Sequence, residues 1–166
     1  MVIAFTDVAY QHEVARGACV FSPTWTAQFP QRQFTVLRTP IAPYVPGAFW
    51  ERELPVLTLL LEGCHPEIIV VDGYVWLDAN GRKGLGAHLY DAKGIPVVGV
   101  AKTAFEGSAF AERVVRGASG RPLWVTAVGL DPIAAAEAVR SMHGAHRLPT
   151  LLHHVDHLAR FGLPNG

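Results

Sequence analysis

A buried strand that ends in an aspartate constrains the fold of this chain most. Residues 68–71 are four consecutive β-branched residues, a run that predicts a strand covered on both faces. The run ends at Asp72-Gly73, and a polar, glycine-rich loop follows as far as Gly86. Because ligands of α/β sheets bind beyond the carboxyl ends of the strands, Asp72 lies where a functional carboxylate is expected. A turn-forming Asp-Gly pair is the simpler interpretation of this dipeptide taken alone.

The composition predicts one globular domain spanning residues 1–166, because half of the residues are hydrophobic and 17% are charged. Fourteen basic and fourteen acidic residues give zero net charge, which argues against a general basic nucleic-acid binder but leaves a local basic cleft open. Two cysteines, Cys19 and Cys64, form no disulfide framework and predict buried thiols in a reducing compartment. The N-terminal residues lack signal-peptide features, and no apolar run is long enough to span a membrane. We therefore expect a cytoplasmic protein that is not inserted in a membrane.

The hydrophobic pattern predicts three strands, a helix, and then strands alternating with helices. Pro55 lies early in the first predicted helix, so we expect that helix to start late or to kink there. Residues 112–116 fit a strand or a helix equally well. Asp131-Pro132 predicts a helix start, with aspartate at the N-cap and proline after it. The order indicates a mixed-sheet α/β domain, with strands at 2–9, 15–22, 33–39, 68–71, 95–101 and 122–128 and helices at 48–62, 86–91, 131–143 and 150–160.

Four acidic residues stand at positions that such a fold brings together. Asp7 ends the first strand and Asp72 ends the central strand, while Glu53 and Asp156 lie on the first and last helices. Each has an ordinary alternative as a solvated or ion-paired residue, for example Asp156 with Arg160. Together they match the needs of Mg²⁺, which takes oxygen ligands from one or two carboxylates and from substrate phosphates. Nuclease sites use such ions to activate water and to stabilise the leaving oxygen.

Several stretches of the chain resemble the endonuclease V family, in order and roughly in spacing, over nearly its whole length. The most specific stretch places a tyrosine between prolines just before the first helix, a combination without a generic structural explanation. The chain is identified on this basis as a shortened and divergent member of the family, which cleaves DNA near deoxyinosine. The matching stretches are FTDVAY, PYVPGAFWERELPVL, IIVVDG, RKGLGAHL, GIPVVGVAK, RPLWVTAVG and HRLPTLLHHVD.

The resemblance implies a ribonuclease H-like fold and a metal-dependent endonuclease with Mg²⁺, or Mn²⁺, as cofactor. It implies hydrolysis of a phosphodiester near a deaminated base, inosine, in DNA or RNA, and thereby a role in DNA repair. The family's metal-binding carboxylates correspond to Asp7, Glu53 and Asp72. Its remaining catalytic positions correspond to Lys102, which would contact phosphate, and Asp156.

The resemblance also implies how the substrate base is held. Tyr44 corresponds to the rigid wedge that the family inserts at the lesion, and the flanking prolines limit the entropy that the loop loses on binding. A packed loop aromatic is the ordinary alternative for this tyrosine. The implied substrate-binding residues are Tyr44, Pro46, Gly73 and Arg82.

The chain departs from the family pattern after Asp72-Gly73, where the family has a His-Gly pair and then a site histidine. Tyr74-Val75 follow here, and Asp78 or Asn80 occupies the approximate place of the histidine. These departures leave two alternatives: a non-catalytic nucleic-acid-binding relative, and a metal-dependent hydrolase with a different substrate.

Two further patterns allow functional and ordinary interpretations. Three residues one turn apart on the last helix, His153, Asp156 and His157, have spacing that suits zinc, although such residues are more often ordinary surface groups. Basic residues around the predicted cleft suit phosphate contacts or a solubilising surface equally well; they are Arg82, Lys83, Arg113, Arg116, Arg121 and Arg147.

Overall fold

The computed structural model describes residues 1–164 and contains a mixed sheet with helices on both faces. Its seven strands are β1 (Ile3–Gln11), β2 (Val14–Ser22), β3 (Arg32–Arg38), β4 (Ile68–Asp72), β5 (Val97–Ala101), β6 (Glu112–Val114) and β7 (Leu123–Val128). Its four α-helices are α1 (Trp50–Leu60), α2 (Leu85–Lys93), α3 (Pro132–Ser141) and α4 (Thr150–Phe161). The predicted order of elements is confirmed, and the ambiguous segment around residue 112 is a strand.

The strand order is β3-β2-β1-β4-β5-β7-β6, which places β1, β4 and β5 side by side in the middle. Strands β1 to β3 pair as an antiparallel meander, whereas β1, β4 and β5 run parallel. Strand β7 returns antiparallel to β5 and carries β6 at the edge. The carboxyl ends of the three parallel strands therefore meet at one edge of the sheet.

The helices form two layers that cover alternate side chains of the central strands. Helices α1 and α2 pack on the face that carries Ala4 and Val71. Helices α3 and α4 pack on the opposite face, against Phe5 and Val70. Because side chains alternate across a strand, each buried strand contributes to both cores, which explains why the residue 68–71 run is uniformly apolar.

Helix α1 starts at Trp50, later than residue 48 where the helical pattern begins, and it continues through Pro55 to Leu60. A proline inside a helix removes one backbone hydrogen bond. The helix nevertheless buries Val56, Leu57 and Leu60 almost completely against the sheet. Packing of that apolar face offsets the lost hydrogen bond.

The start of helix α3 is as predicted: the Asp131 carboxylate accepts a hydrogen bond from the Ala134 backbone N–H at 3.1 Å. None of the helices described for residues 1–164 is both long and apolar enough to cross a lipid bilayer.

Candidate active site

Asp72 at the end of β4 and Lys102 directly after β5 lie on one face of the sheet, beside Asp7 on β1. The prediction that Asp7 ends the first strand is wrong, because β1 continues to Gln11 in its antiparallel hairpin with β2. Phe5 and Val70 are neighbours across the β1–β4 pair, and each acid follows two residues later. Side chains two residues apart in a strand point to the same face. Both aspartates therefore face the layer of α4, and Lys102, two residues after Val100, does the same.

Two helices on opposite faces of the sheet complete this acidic cluster, which consists of Asp7, Glu53, Asp72 and Asp156. Glu53 belongs to the buried side of α1 and is only 7% exposed. Asp156 lies on α4, which packs directly on β1 and β2. Residues far apart in sequence thus converge at one sheet edge, as predicted from their positions on the elements.

The buried carboxyls in this cluster resist ionisation. Burial, and then the negative charges of Asp7 and Asp72, raise the pKa of Glu53 to about 9. Burial and the charge of Asp72 raise the pKa of Asp7 to about 7, against the lowering effect of a hydrogen bond from the Val8 N–H. Like charges held together in a poorly solvated site disfavour ionisation. A bound cation would remove this penalty.

Lys102 is clamped between two of the aspartates. Its Nζ lies 3.3 Å from an Asp72 carboxylate oxygen and 3.5 Å from an Asp156 oxygen. Burial alone would lower the pKa of Lys102, but the neighbouring aspartates raise it overall, so the side chain stays protonated. The other Asp156 oxygen pairs with Arg160 Nε at 3.2 Å. Asp156 thus holds two cations at the margin of the cluster.

The donor set fits a hard divalent cation in its chemistry. Within residues 1–164, no three Asp, Glu, His or Cys side chains form a complete ligand group by themselves. Mg²⁺ does not require one, because it keeps several waters and takes few protein carboxylates. A cavity of about 20 Å³ between Asp7, Asp72 and Lys102 has room for one water-sized occupant. Asp7 and Asp72 line this cavity and are the residues that would hold the ion directly, and Glu53 stays a predicted ligand beside them.

The predicted substrate-binding residues lie on loops that leave the same sheet edge. Tyr44 stands on the irregular segment before α1 with 61% of its surface exposed. Arg82 and Phe105 line a cleft of about 550 Å³, called here the loop cleft, together with Gly47. Gly73 adopts a positive φ of 122° directly after Asp72, a conformation that favours glycine. Pro46 is exposed beside Gly47.

The residues that distinguish the loop after Asp72 from the family pattern make hydrogen bonds and packing contacts within the protein. The Tyr74 hydroxyl donates to the Thr103 carbonyl at 2.7 Å, and the Tyr74 ring meets Phe105 edge to face at 4.5 Å. The Asp78 carboxylate accepts hydrogen bonds from the backbone N–H groups of Asn80 and Arg82. Asp78 therefore closes a turn where the family pattern has a site histidine.

Two of the six basic residues around the predicted cleft, Arg116 and Arg147, donate to backbone carbonyls, which neither of the two interpretations anticipated. Arg116 is buried, and its guanidinium donates to four backbone carbonyls, including those of Met142 and Gly144. Arg147 donates to the carbonyls of Lys102 and Pro122. These side chains tie loops to strand ends, because buried guanidinium groups need several acceptors.

The remaining basic side chains are divided between pairs and open surface. Lys83 pairs with Asp91, and Arg113 lies over the Trp124 ring.

The zinc alternative gains no support, since Asp156 faces Lys102 and Arg160 and no metal-ligand group forms within the described part of the chain.

The sequence pattern did not predict two contacts near the site. The Arg52 guanidinium covers the Tyr10 ring at 4.3 Å, next to Glu53. A Cβ atom at Gly99 would lie 2.5 Å from the Gly73 carbonyl oxygen, so only glycine lets the loop after β4 cross β5. Both contacts join segments distant in sequence, and residue spacing along one element cannot reveal them.

Comparison with known proteins identifies the class and then the family. The mixed seven-stranded sheet, with acids at its central strand ends, defines a ribonuclease H-like protein. The family model for Endonuclease V matches residues 1–130. Endonuclease V of Streptomyces coelicolor is 32% identical over 183 residues, covering 95% of this chain and 77% of that protein. The chain belongs to the endonuclease V family.

Solved structures agree with this assignment. The crystal structure of Endonuclease V from Streptomyces avermitilis has a TM-score of 0.75 and 25% identity, covering 96% of this chain and 80% of that one. The catalytic domain of human Endonuclease V shares the fold with a TM-score of 0.77 and 22% identity, over 96% and 80% of the two chains. Endonuclease V from Ciona intestinalis, solved with a 24mer DNA containing an inosine, has a TM-score of 0.74 and 18% identity, over 96% and 84% of the chains.

Proposed function

We propose that this protein is a Mg²⁺-dependent endonuclease that hydrolyses a phosphodiester bond near a deaminated base, inosine, in DNA or RNA. The observation that carries the proposal is the convergence of the Asp7, Glu53 and Asp72 carboxyls at one edge of the sheet, where burial and neighbouring negative charge raise the pKa of Asp7 and of Glu53. Proteins rarely bury like charges together without a compensating cation. Mg²⁺ or Mn²⁺ would be that cation.

The side chains around this set have distinct tasks in hydrolysis. A bound Mg²⁺ supplies activation of water and stabilisation of the leaving oxygen. Lys102 holds a permanent positive charge beside Asp72, where it neutralises a phosphate oxygen as negative charge develops during attack. Asp156 orients Lys102 from α4 and keeps Arg160 at the margin of the site.

The loops beside the acidic cluster supply base recognition in this proposal. Tyr44 is exposed on a segment stiffened by Pro43 and Pro46, which suits an aromatic side chain that fills the space of an extruded base. The loop cleft beside Gly47 takes the extruded base. Arg82 lies on its wall as a hydrogen-bond donor, and Gly73 lets the backbone turn close to the acids.

The relatives support the same reaction. The matching proteins from Streptomyces coelicolor and Ignicoccus hospitalis are both named Endonuclease V; the second is 34% identical over 102 residues, 61% of this chain and 47% of that protein. The Ciona intestinalis relative was crystallised with DNA containing an inosine. We transfer inosine to this chain as the proposed substrate base.

A second candidate function is nucleic-acid binding without efficient turnover. It is favoured by the loop after Asp72, in which Asp78 closes a turn and Tyr74 packs against Phe105 where the family pattern has histidines.

The test is cleavage of end-labelled DNA and RNA oligonucleotides that contain one inosine, with Mg²⁺, Mn²⁺ or EDTA. We expect metal-dependent cutting at a fixed offset from inosine and no cutting in EDTA. Asp72→Asn keeps the shape of the side chain but removes a metal-binding charge, so it should lower the rate by at least about 100-fold, the scale of losing one electrostatic element of a catalytic site.

Asp91→Asn is the matched control, since Asp91 is an exposed aspartate on α2 that pairs with Lys83. Its rate should equal that of the wild type. If the wild-type protein binds the oligonucleotide but does not cut it with either Mg²⁺ or Mn²⁺, the result would favour the second candidate. Equal rates for Asp72→Asn and the wild type would exclude Asp72 from the mechanism.

A further inference from the structure

A second groove opens beside the acidic cluster, on the side of the sheet covered by α4. It encloses about 490 Å³ and is called here the α4 groove; its main walls are Tyr10, His12, Arg16, Leu37, Arg160 and Phe161. None of the described residues that line it is acidic. Nothing in the reaction proposed above uses this groove.

The α4 groove lies next to the acidic cluster along two elements of the fold. Strand β1 carries Asp7 and then, two residues or about 7 Å further on, the groove residue Ala9. Helix α4 carries Asp156 and then, one turn or about 5.4 Å further on, Arg160. The Asp156–Arg160 pair at 3.2 Å links the two directly. A nucleic-acid strand bound at the acidic cluster would therefore reach the α4 groove within one or two nucleotides.

The groove combines positive charge with exposed apolar surface. The Arg16 guanidinium donates to the Arg160 carbonyl at 3.1 Å, which holds Arg16 at the C-terminal end of α4, while the Arg160 guanidinium pairs with Asp156. Phe161 is 68% exposed and Leu37 is 60% exposed at the same place. The Phe161 ring also lies 4.7 Å from the His157 ring, so its orientation is supported from one side. Large exposed apolar side chains next to cations indicate a binding surface.

We infer that the α4 groove binds a single-stranded segment of the nucleic acid that flanks the cleavage position. This rests on the proposed nuclease function. Single strands are bound by cations that follow the phosphates and by aromatic faces on which bases stack without sequence preference. Arg16 and Arg160 supply the first element and Phe161 the second. A double helix presents no unstacked base to Phe161, so the groove discriminates in favour of single strands.

The experiment measures binding of fluorescein-labelled oligodeoxynucleotides in EDTA, so that no cleavage occurs. Each carries one inosine and either a short or a long thymidine flank on one side. We expect the long flank on one side, but not on the other, to tighten binding. Phe161→Ala should reduce this gain by about tenfold, the scale of losing one stacked base, and Arg16→Gln should reduce it as well. Pairing the flank with a complementary strand should abolish it.

Phe29→Ala is the matched control, because Phe29 is 73% exposed and lies outside the groove. This variant should keep the full gain. The inference is overturned if Phe161→Ala and Arg16→Gln also keep the full gain in affinity from the long flank. It is overturned as well if an acidic peptide displaces the flank as effectively as oligothymidine does. Cleavage of the same oligonucleotides with Mg²⁺ is measured separately, so absent cleavage would count against the proposed function while flank binding still decides this inference.

Discussion

Among the acidic residues of the site, Glu53 lies in the environment that most disfavours ionisation of its carboxyl group. It lies on the buried side of a helix, and burial together with Asp7 and Asp72 raises its pKa to about 9. A carboxyl in such surroundings is protonated at neutral pH unless a cation joins it. We propose that a bound cation offsets the cost of ionising Glu53 at this position.

These raised pKa values predict how stability depends on pH. Without metal, the folded protein keeps protons on Asp7 and Glu53 that the unfolded chain has released above the ordinary carboxyl pKa. The unfolded state then binds fewer protons, so the free energy of unfolding falls as pH rises from about 5 to 9, by at most about 1.4 kcal/mol per pH unit for each proton. Urea unfolding in EDTA at several pH values measures this fall.

Two comparisons test the cause of the fall. Glu53→Gln should weaken the dependence of the free energy of unfolding on pH, because the amide has no proton to lose. Mg²⁺ should raise the free energy of unfolding most at high pH, where the carboxylates are ionised. A free energy of unfolding that is level across this range in EDTA would contradict the raised pKa values.

At the scale of elements, close backbone contacts set the positions of the site. Gly99 on β5 lets the loop after Asp72 lie across the strand, where the Val75 N–H donates to the Thr126 hydroxyl at 2.8 Å. Gly17 on β2 similarly lets α1 approach, since a Cβ there would lie 2.8 Å from a Val56 methyl group. These two glycines therefore set how closely the loop after Asp72 and helix α1 approach the sheet.

Gly99→Ala should therefore lower stability by about 1–3 kcal/mol, the usual cost of overpacking, because its methyl group meets backbone atoms that cannot turn away. Cleavage activity should fall with it as the loop after Asp72 is displaced. Gly120→Ala is the control, since a Cβ at Gly120 meets no atom within 4 Å. Urea unfolding of the two variants measures the difference, and equal stability would show that the loop shifts without cost.

At the scale of the whole molecule, charge is balanced overall but separated locally. Fourteen basic and fourteen acidic residues give zero net charge, yet the α4 groove carries arginines with no acidic lining residue among those described. The proposed attraction of nucleic acid would therefore depend on local contacts and not on a general positive field.

Salt dependence separates these two sources of attraction. The affinity for a single-stranded oligonucleotide should fall with salt, and each phosphate contact adds about −0.7 to the slope of log affinity against log salt concentration. Arg16→Gln should make the slope shallower by about 0.7. Arg140→Gln should leave it unchanged, because Arg140 lies on α3 and pairs with Glu137. Anisotropy titrations across a salt series measure both slopes, and a flat wild-type response would exclude phosphate contacts.

Most of the fold and the central acids followed from the sequence. The β-branched run at 68–71 and the apolar periodicities predicted the central strand and the helices, because these patterns act over a few residues. The same patterns placed Asp72 at the end of its strand, and parallel pairing makes Asp7 its neighbour, although β1 continues past Asp7 to Gln11. Local chemistry at Pro55 predicts a late start or a kink in α1, whereas packing against the sheet keeps the segment helical on both sides of the proline.

Only the tertiary structure decided how individual side chains are used. It divided the arginines into buried ones that bind carbonyls, such as Arg116, and exposed ones that face a groove, such as Arg160. It also placed Lys102 between Asp72 and Asp156, residues separated by 84 positions in the printed sequence. Charge and spacing along one element do not encode these partners, because each pair forms only when distant elements pack together and exclude water.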